Sequence, residues 1–224
     1  MRKGLVLVAL VLLTGTIVLA QEVPVAEAYG GFTWVRFNPA SNVNAFTAVG
    51  GIGSFQVNIH KNVGIVGEFG GTTHGDITVF GASFPMDQTQ FSYLFGPRLF
   101  VNKAGRFSPF VEFLIGGNHD SRSFSVPNSA IPVGAQVPSG VTAEVGATST
   151  KFRTTQNAFS YAIGGGFDIK LSKAFAVRPI QLDYMPTHFS PFNIPGIPGT
   201  VNDVNWQHNI RYSAGVLFRF GSRS

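Results

Sequence analysis

The sequence predicts an all-β protein, an eight-stranded antiparallel transmembrane β-barrel of the up-and-down kind, with short periplasmic turns and long extracellular loops. Three observations lead there. The stretch Trp206–Phe220 alternates with period two. Seven earlier stretches repeat the pattern, and the connections between them alternate between short and long.

In Trp206–Phe220, one face carries His208, Ile210, Tyr212, Ala214, Val216, Phe218 and Phe220. The other carries Asn209, Arg211, Ser213, Gly215, Leu217 and Arg219. The first stretch of this kind is Val25–Phe37, with Ala28, Gly30, Phe32 and Trp34 opposite Glu27. The second, Asn44–Asn58, sets Val49, Phe55 and Val57 against Ser54, Gln56 and Asn58. The third, Val63–Gly71, sets Val63, Ile65 and Phe69 against Glu68. In the fourth, Gln88–Val101, Phe91, Tyr93, Phe95, Leu99 and Val101 oppose Gln90, Ser92, Gly96 and Arg98. The fifth, Phe107–Asn118, has Val111, Phe113 and Ile115 opposite Glu112. The sixth, Gln156–Leu171, has Phe159, Tyr161, Ile163, Phe167 and Ile169 opposite Ser160, Ala162, Gly164, Gly166, Asp168 and Lys170. The seventh, Phe175–Phe189, has Ile180, Leu182 and Tyr184 opposite Gln181 and Asp183. Pro97, Pro109 and Pro179 inside these stretches predict bulges or bends, because proline donates no ladder hydrogen bond.

Strands of about 9 to 15 residues suit a tilted bilayer crossing. The connections His60–Asn62, Asn102–Arg106 and Ser172–Ala174 are tight, whereas Asn38–Val43, Thr72–Asp87, His119–Thr155 and Ser190–Asn205 are long. That alternation belongs to an outer-membrane barrel, with turns in the periplasm and loops outside. It also sets the faces. The Phe, Ile, Leu, Val and Tyr side is too bulky for the interior of eight strands, which holds little more than packed side chains. It therefore meets lipid, and the glycines, small polar residues and charges line the lumen.

Composition agrees. The chain has 224 residues, a size for one domain, with no cysteine and hence no disulfide framework. Only 12% of residues are charged, and Gly (27), Phe (22) and Pro (13) favour strands and turns over long helices. Residues 1–20 read as a signal peptide, with Arg2 and Lys3, an apolar run from Leu5 to Ala20 and a cut at Ala20–Gln21. The rival, a membrane-anchoring helix, needs about 20 apolar residues. Residues 21–224 are then one outer-membrane barrel domain, whose net charge falls from +5 to +3 once Arg2 and Lys3 leave. No Lys/Arg run points to nucleic acid.

Several segments carry a family resemblance: N-I-H-K-N-V-G-I-V-G-E-F-G-G (58–71), F-S-Y-L-F-G-P-R (91–98), A-F-S-Y-A-I-G-G-G-F-D-I-K (158–170), V-R-P-I-Q-L-D-Y (177–184) and I-R-Y-S-A-G-V-L-F-R-F (210–220). Together the chain resembles the small OmpA-like outer-membrane β-barrel proteins of Gram-negative bacteria. The resemblance implies a fold and a place in the cell outer membrane. It implies no single activity, because the family shares a barrel and not a chemistry. The cell-wall-binding domain of full-length OmpA is not expected here, and Gly221–Ser224 follow the final aromatic Phe220. Outer-membrane lipid and, during biogenesis, the barrel assembly machinery are the partners such a chain implies.

Glu27, Glu68, Glu112, Asp168 and Asp183 share the lumen face with Arg98, Lys170, Arg211 and Arg219. They read as a closed ion-pair network rather than an ion path. Arg98 is expected between Glu68 and Glu112, Glu27 beside Arg219, and Asp183 beside Arg211. Trp34 and Trp206 read as interfacial aromatics at the outer rim. His119 and Ser121 suggest the His–Ser chemistry of lipid A deacylases, which also needs an acid to orient the histidine. In N-H-D-S-R at a loop boundary, the pair reads instead as a coincidence of a polar loop. The five histidines show no metal-ligand spacing, and no cofactor motif is present. Gly164–Gly165–Gly166 reads as a place where neighbouring side chains need room.

The expected role is structural or surface-interacting and non-enzymatic, with a largely plugged lumen. A lipid A-modifying barrel enzyme and a narrow diffusion pore are the alternatives, and a soluble lipocalin-like binder fails on its face assignment. Ile163→Arg or Phe218→Arg should block assembly into lipid, since arginine near the bilayer midplane of a barrel costs about 2–4 kcal/mol. Gly164→Ala, on the lumen side, is expected to cost less. Folding into lipid vesicles, read by gel mobility, checks both, and wild-type folding of Ile163→Arg would invert the faces.

Overall fold

The computed structural model describes residues 23–38, 44–75, 77–79, 82–84, 86–131, 133–134, 137, 140–188 and 206–222. The signal segment 1–20 and the loop Ser190–Asn205 lie outside them. The described strands are β1 (Ala26–Phe37), β2 (Phe46–His60), β3 (Val63–His74), β4 (Ile77–Val79), β5 (Ala82–Phe84), β6 (Met86–Phe100), β7 (Phe107–Pro127), β8 (Val141–Val145), β9 (Ser149–Lys170), β10 (Phe175–His188) and β11 (Trp206–Phe220).

Eight of them close a ring in the order β11-β1-β2-β3-β6-β7-β9-β10, with β10 pairing back to β11. Every pair in the ring is antiparallel. Closure leaves no free edge within the ring, which a bilayer demands because it offers no water to an unpaired amide.

Burial alternates along each strand, and this settles which face is inside. Glu68 is 1% exposed while its neighbour Phe69 is 57% exposed. Phe32, Phe55, Ile65, Phe95, Phe113, Ile163, Leu182, Ile210 and Phe218 are all exposed on the outer wall. A contiguous apolar band on this scale needs a cover, and lipid supplies it.

The lumen is not polar throughout. Val35, Phe37, Ala48, Val66, Leu94, Leu114, Ala162 and Met185 form an apolar cluster inside the barrel. Leu94, Leu114 and Met185 each lie on the loop side of the charged residue of their own strand, Arg98, Glu112 and Asp183. An eight-stranded interior is filled by side chains, so apolar ones serve wherever no charge requires a partner.

The largest departure from the sequence reading is above the membrane. The segment His119–Thr155, expected as a loop, continues the strands. β7 and β9 pair residue for residue from Phe107↔Ile169 to Pro127↔Ser149. β6 runs alongside, from Met86↔Phe124 downward, and β8 joins the free side of β9 from Val141↔Thr154 to Val145↔Thr150. Hydrophobic periodicity is silent here because serine, threonine, asparagine and arginine occupy both faces, yet the backbone ladder is unaffected. Asn128 closes the tip by donating to Gly146 O at 2.9 Å and accepting from Thr150 Oγ1 at 2.8 Å.

The glycine run of β9 gives room to β10. A Cβ on Gly164 would lie 2.0 Å from Asp183 Oδ1 and 2.3 Å from the carbonyl oxygen of Leu182. Gly164→Ala must therefore move Asp183 or the β10 backbone. It should lower the urea midpoint of the barrel in lipid by the equivalent of about 1–3 kcal/mol. Gly51→Ala, where a Cβ meets nothing nearer than 3.9 Å, should change it little. Equal midpoints for the two variants would contradict this packing.

Candidate functional site

The charged lumen residues are held by the strands nearest the turn end. Arg98 on β6 donates from Nε to Glu112 Oε2 on β7 at 2.7 Å, and from Nη1 to Gln56 Oε1 on β2 at 3.0 Å. Arg219 on β11 donates to Glu27 Oε1 on β1 at 3.1 Å. Arg211 bridges Asp183 at 2.7 Å and Glu68 at 2.5 Å. Glu68 is thus not a partner of Arg98, as the sequence suggested. Arg98 faces Gly64 across the β3–β6 ladder, so Glu68 sits four residues further toward the loop end. Heights counted from different turns do not compare, because barrel strands are staggered.

Two further cations complete the network. Arg178 grips Asp168 with two bonds, at 2.7 and 3.2 Å, and donates to Gln181 Oε1 at 2.8 Å. Strict alternation from Ile180 and Leu182 would put Arg178 on the lipid side. A register shift between Arg178 and Gln181, at Pro179, turns it inward. Lys103, from the turn between β6 and β7, folds under the barrel onto Glu27, with Asp168 Oδ2 at 3.7 Å. Burial pushes the Lys103 ammonium down to about 8, against the pull of Glu27 and Asp168. Lys170, assigned to this set from sequence, is only partly buried at the end of β9.

Gln181 and Gln56 link the pairs. Gln181 Nε2 donates toward Glu112 at 2.7 Å, Asp183 at 3.1 Å and Glu68 at 3.2 Å. Gln56 Nε2 donates to Glu27 Oε2 at 3.0 Å. The ring of Phe110 lies between two guanidiniums, with Arg98 Cζ at 4.5 Å and Arg178 Cζ at 4.4 Å from its centroid. Five acids meet five cations here (Arg98, Lys103, Arg178, Arg211 and Arg219), so the plug is formally neutral. Just on its loop side is a cavity bordered by Thr33, Ile52, Thr72, Gln90, Met185 and Arg211, with room for about one water.

The outer wall places the remaining candidates. Trp206 sits among Phe159, Tyr161 and His188, with centroids 6.4, 6.0 and 5.0 Å away. Trp34 is not level with it: it pairs with Tyr212, six residues toward the turn end along β11. The two therefore do not form one rim. His119 and Ser121 lie on a strand, not in a loop, and face outward. The acid between them, Asp120, points inward, where Gln88 donates to it at 2.7 Å and Arg122 lies at 2.5 Å. His119 Nδ1 instead meets Asn157 Oδ1 of β9 at 2.7 Å.

No family model matches the sequence, and no curated protein matches it. Solved structures match in fold. Outer membrane protein OprG of Pseudomonas aeruginosa is 15% identical, over 89% of this chain and 97% of its own, with a TM-score of 0.55. Neisserial surface protein A is 10% identical, over 87% and 97%, at 0.52. The attachment invasion locus protein Ail of Yersinia pestis is 16% identical, over 87% and 97%, at 0.51. Ail is also known in complex with the heparin analogue sucrose octasulfate. The fold of this chain is that of the small eight-stranded outer-membrane β-barrels.

Arg98 and Arg178 are 1% and 0% exposed, so truncating either strands carboxylates in a confined space. Arg98→Ala and Arg178→Ala should each destabilise the barrel by about 3–5 kcal/mol. Exposed Arg153→Ala should sit within about 0.5 kcal/mol of wild type. Urea titration in lipid vesicles, followed by tryptophan fluorescence, measures all three.

Proposed function

We propose that this protein resides in the bacterial outer membrane as a plugged barrel that presents an extended extracellular sheet to partners outside the cell. The observation that carries the reading is strand length. β7 and β9 have 21 and 22 residues, about twice the 9–11 that a crossing needs. The surplus forms a sheet of β6, β7, β9 and β8 beyond the aromatic rim. Phe124 and Phe152 stack at 5.5 Å within it, which stiffens a platform rather than a loose loop. Exposed Lys151 and Arg153 stand on its outward face. That Ail takes a heparin analogue supports the reading that such a barrel serves extracellular ligands.

Export would begin with the segment 1–20 as a signal peptide, with 21–224 as the barrel domain. Insertion would use the barrel assembly machinery, and bulk outer-membrane lipid would cover the apolar band. The role is structural and surface-interacting. A diffusion pore is disfavoured by the neutral plug, whose three central guanidiniums are at most 2% exposed.

Fractionation should recover the protein with outer membranes, showing the heat-dependent gel mobility of a barrel. Protease added to intact cells should cut between residues 128 and 140, since the flanking stretches are paired in β7, β8 and β9. Planar bilayers should show no steady conductance above the lipid baseline. Cutting confined to Asn102–Arg106 would reverse the topology, and open-channel steps would refute the plug.

A further inference from the structure

We propose that the open edge of β8 pairs antiparallel with the β8 of a second copy of this chain carried on a facing membrane, joining two extracellular sheets edge to edge. The inference rests on the reading that this sheet stands outside the cell, and it names the partner that the sheet takes.

β8 pairs with β9 from Val141↔Thr154 to Val145↔Thr150, and among the described residues no strand pairs with its other side. The turn shows which backbone groups face that side. Gly146 N donates to Ser149 O at 2.9 Å, one step beyond Val145↔Thr150. Along an antiparallel ladder, residues point their N–H and C=O groups alternately toward and away from a given neighbour. Thr142 and Glu144 therefore bond to β9, and Val141, Ala143 and Val145 turn their backbone groups to the open side. Pro127 obeys the same parity: it pairs with Ser149, whose groups point to β8, so no N–H is asked of it. Edges are ordinarily blunted by charge, proline or a bulge. β8 has an unbroken register, no proline and one charge, Glu144, which faces Lys151 across the ladder. No charged residue lies between Arg122 and Glu144. Such an edge is a template for another strand.

Direction selects the partner. β9 runs from the loop end to the turn end, so β8 runs away from the membrane. An antiparallel partner must run toward it. A copy in the same bilayer presents a β8 that also runs away, and fails. A copy in a facing bilayer satisfies the direction. Height fits as well. Val145↔Thr150 lies one rung below Pro127↔Ser149, the topmost pair of β7 and β9. β8 is thus at the apex of the sheet, the part that a facing copy reaches first.

The strand is complementary to itself. A twofold axis perpendicular to the sheet at Ala143 sets Ala143 opposite the second copy's Ala143, Val141 opposite its Val145, and Thr142 opposite its Glu144. The open backbone groups then all find partners, because the residues that carry them face one another. Ala143 pairs with buried Phe152, so Val141, Ala143 and Val145 share the face of the Phe124–Phe152 stack. The join extends that apolar strip and covers Val145, which is 81% exposed. On the other face Thr142 and Glu144 are exposed, and each Glu144 meets a hydroxyl rather than a like charge. A strand of 5 residues makes a weak link. Many copies on two surfaces multiply it.

The test uses the mature barrel folded into phosphatidylcholine vesicles, many copies in each, with heat-dependent gel mobility confirming that every variant is folded. Protease cleavage between residues 128 and 140 confirms that the sheet is outside, and light scattering follows clustering. Wild-type vesicles should cluster. Ala143→Pro removes an open N–H without touching the β9 ladder, and clustering should be lost. Thr142→Glu sets like charges opposite each other on both sides of the axis, with the same loss. Glu144→Lys vesicles should still cluster, and mixing them with Thr142→Glu vesicles, each carrying its own dye, should restore the latter into mixed clusters. Wild-type vesicles that stay dispersed although protease reaches the stretch overturn the homotypic partner and leave the edge to an extended segment of another protein. Undiminished clustering of Ala143→Pro, or no mixed clusters, overturns the edge and its register. Resistance of the stretch to protease on intact cells refutes instead the extracellular reading beneath the proposal.

Discussion

The constraint on which the structure depends is electrical neutrality in a space that side chains nearly fill. Closing eight strands leaves an interior that side chains must fill. Taking an unpaired charge into it costs several kcal/mol. The chain answers with five carboxylates and five cations arranged so that each charge meets at least one opposite partner. Gln56 and Gln181 carry the contacts from one pair to the next. An apolar interior would satisfy packing more simply, but this polar network ties β1, β2, β3, β6, β7, β9, β10 and β11 to one another. Register is then specified from inside, because a slip of one residue would turn these charges into lipid.

The inner and outer faces were legible in the sequence because parity is a local property. The face of Glu27, Glu68, Glu112, Asp168, Asp183, Arg211 and Arg219 follows from reading every second residue. What was not legible is stagger. The pairing of Glu68 with Arg211 rather than Arg98 depends on how far each strand slides past its neighbour, and no stretch of sequence states that. Trp34 and Trp206 were misplaced relative to each other for the same reason. Arg178 failed differently, through a parity change, and a signal existed: Pro179 marks the bulge beyond which the inward set changes from even to odd numbers. Lys103 gave no signal, since a lysine in a turn is ordinarily solvated, and only its return beneath the barrel makes it a lumen residue.

The extracellular sheet extends the ladder without the hydrophobic code. Within the membrane, alternation is enforced by lipid on one side and the plug on the other. Above it, mostly polar residues occupy both faces of β7 and β9 apart from the buried pair Phe124 and Phe152, so the sequence looks like a loop while the backbone stays paired. β8 explains how β9 survives there. β10 ends beside Phe159, and β8 takes over the same edge from Thr154 upward. Asn157 sits in the interval between these two partners, where the outer edge of β9 changes neighbours.

That interval links the two faces. The outward residues His119 and Asn157 back onto an inward layer that is itself pinned. Asn118 donates to Thr187 Oγ1 at 3.0 Å, and Ser160 donates to the carbonyl of Pro186 at 3.0 Å. Both bonds fasten the β7–β9 pair to β10, the first one residue from His119 and the second three residues from Asn157. A polar group on the outer wall of a barrel has no pocket to hold it, so its geometry must come from the strands that carry it and from what lies behind them. Here the inner hydrogen bonds supply that support. The same alternation that hides charge within the barrel thereby sets His119 and Asn157 together on its outer wall.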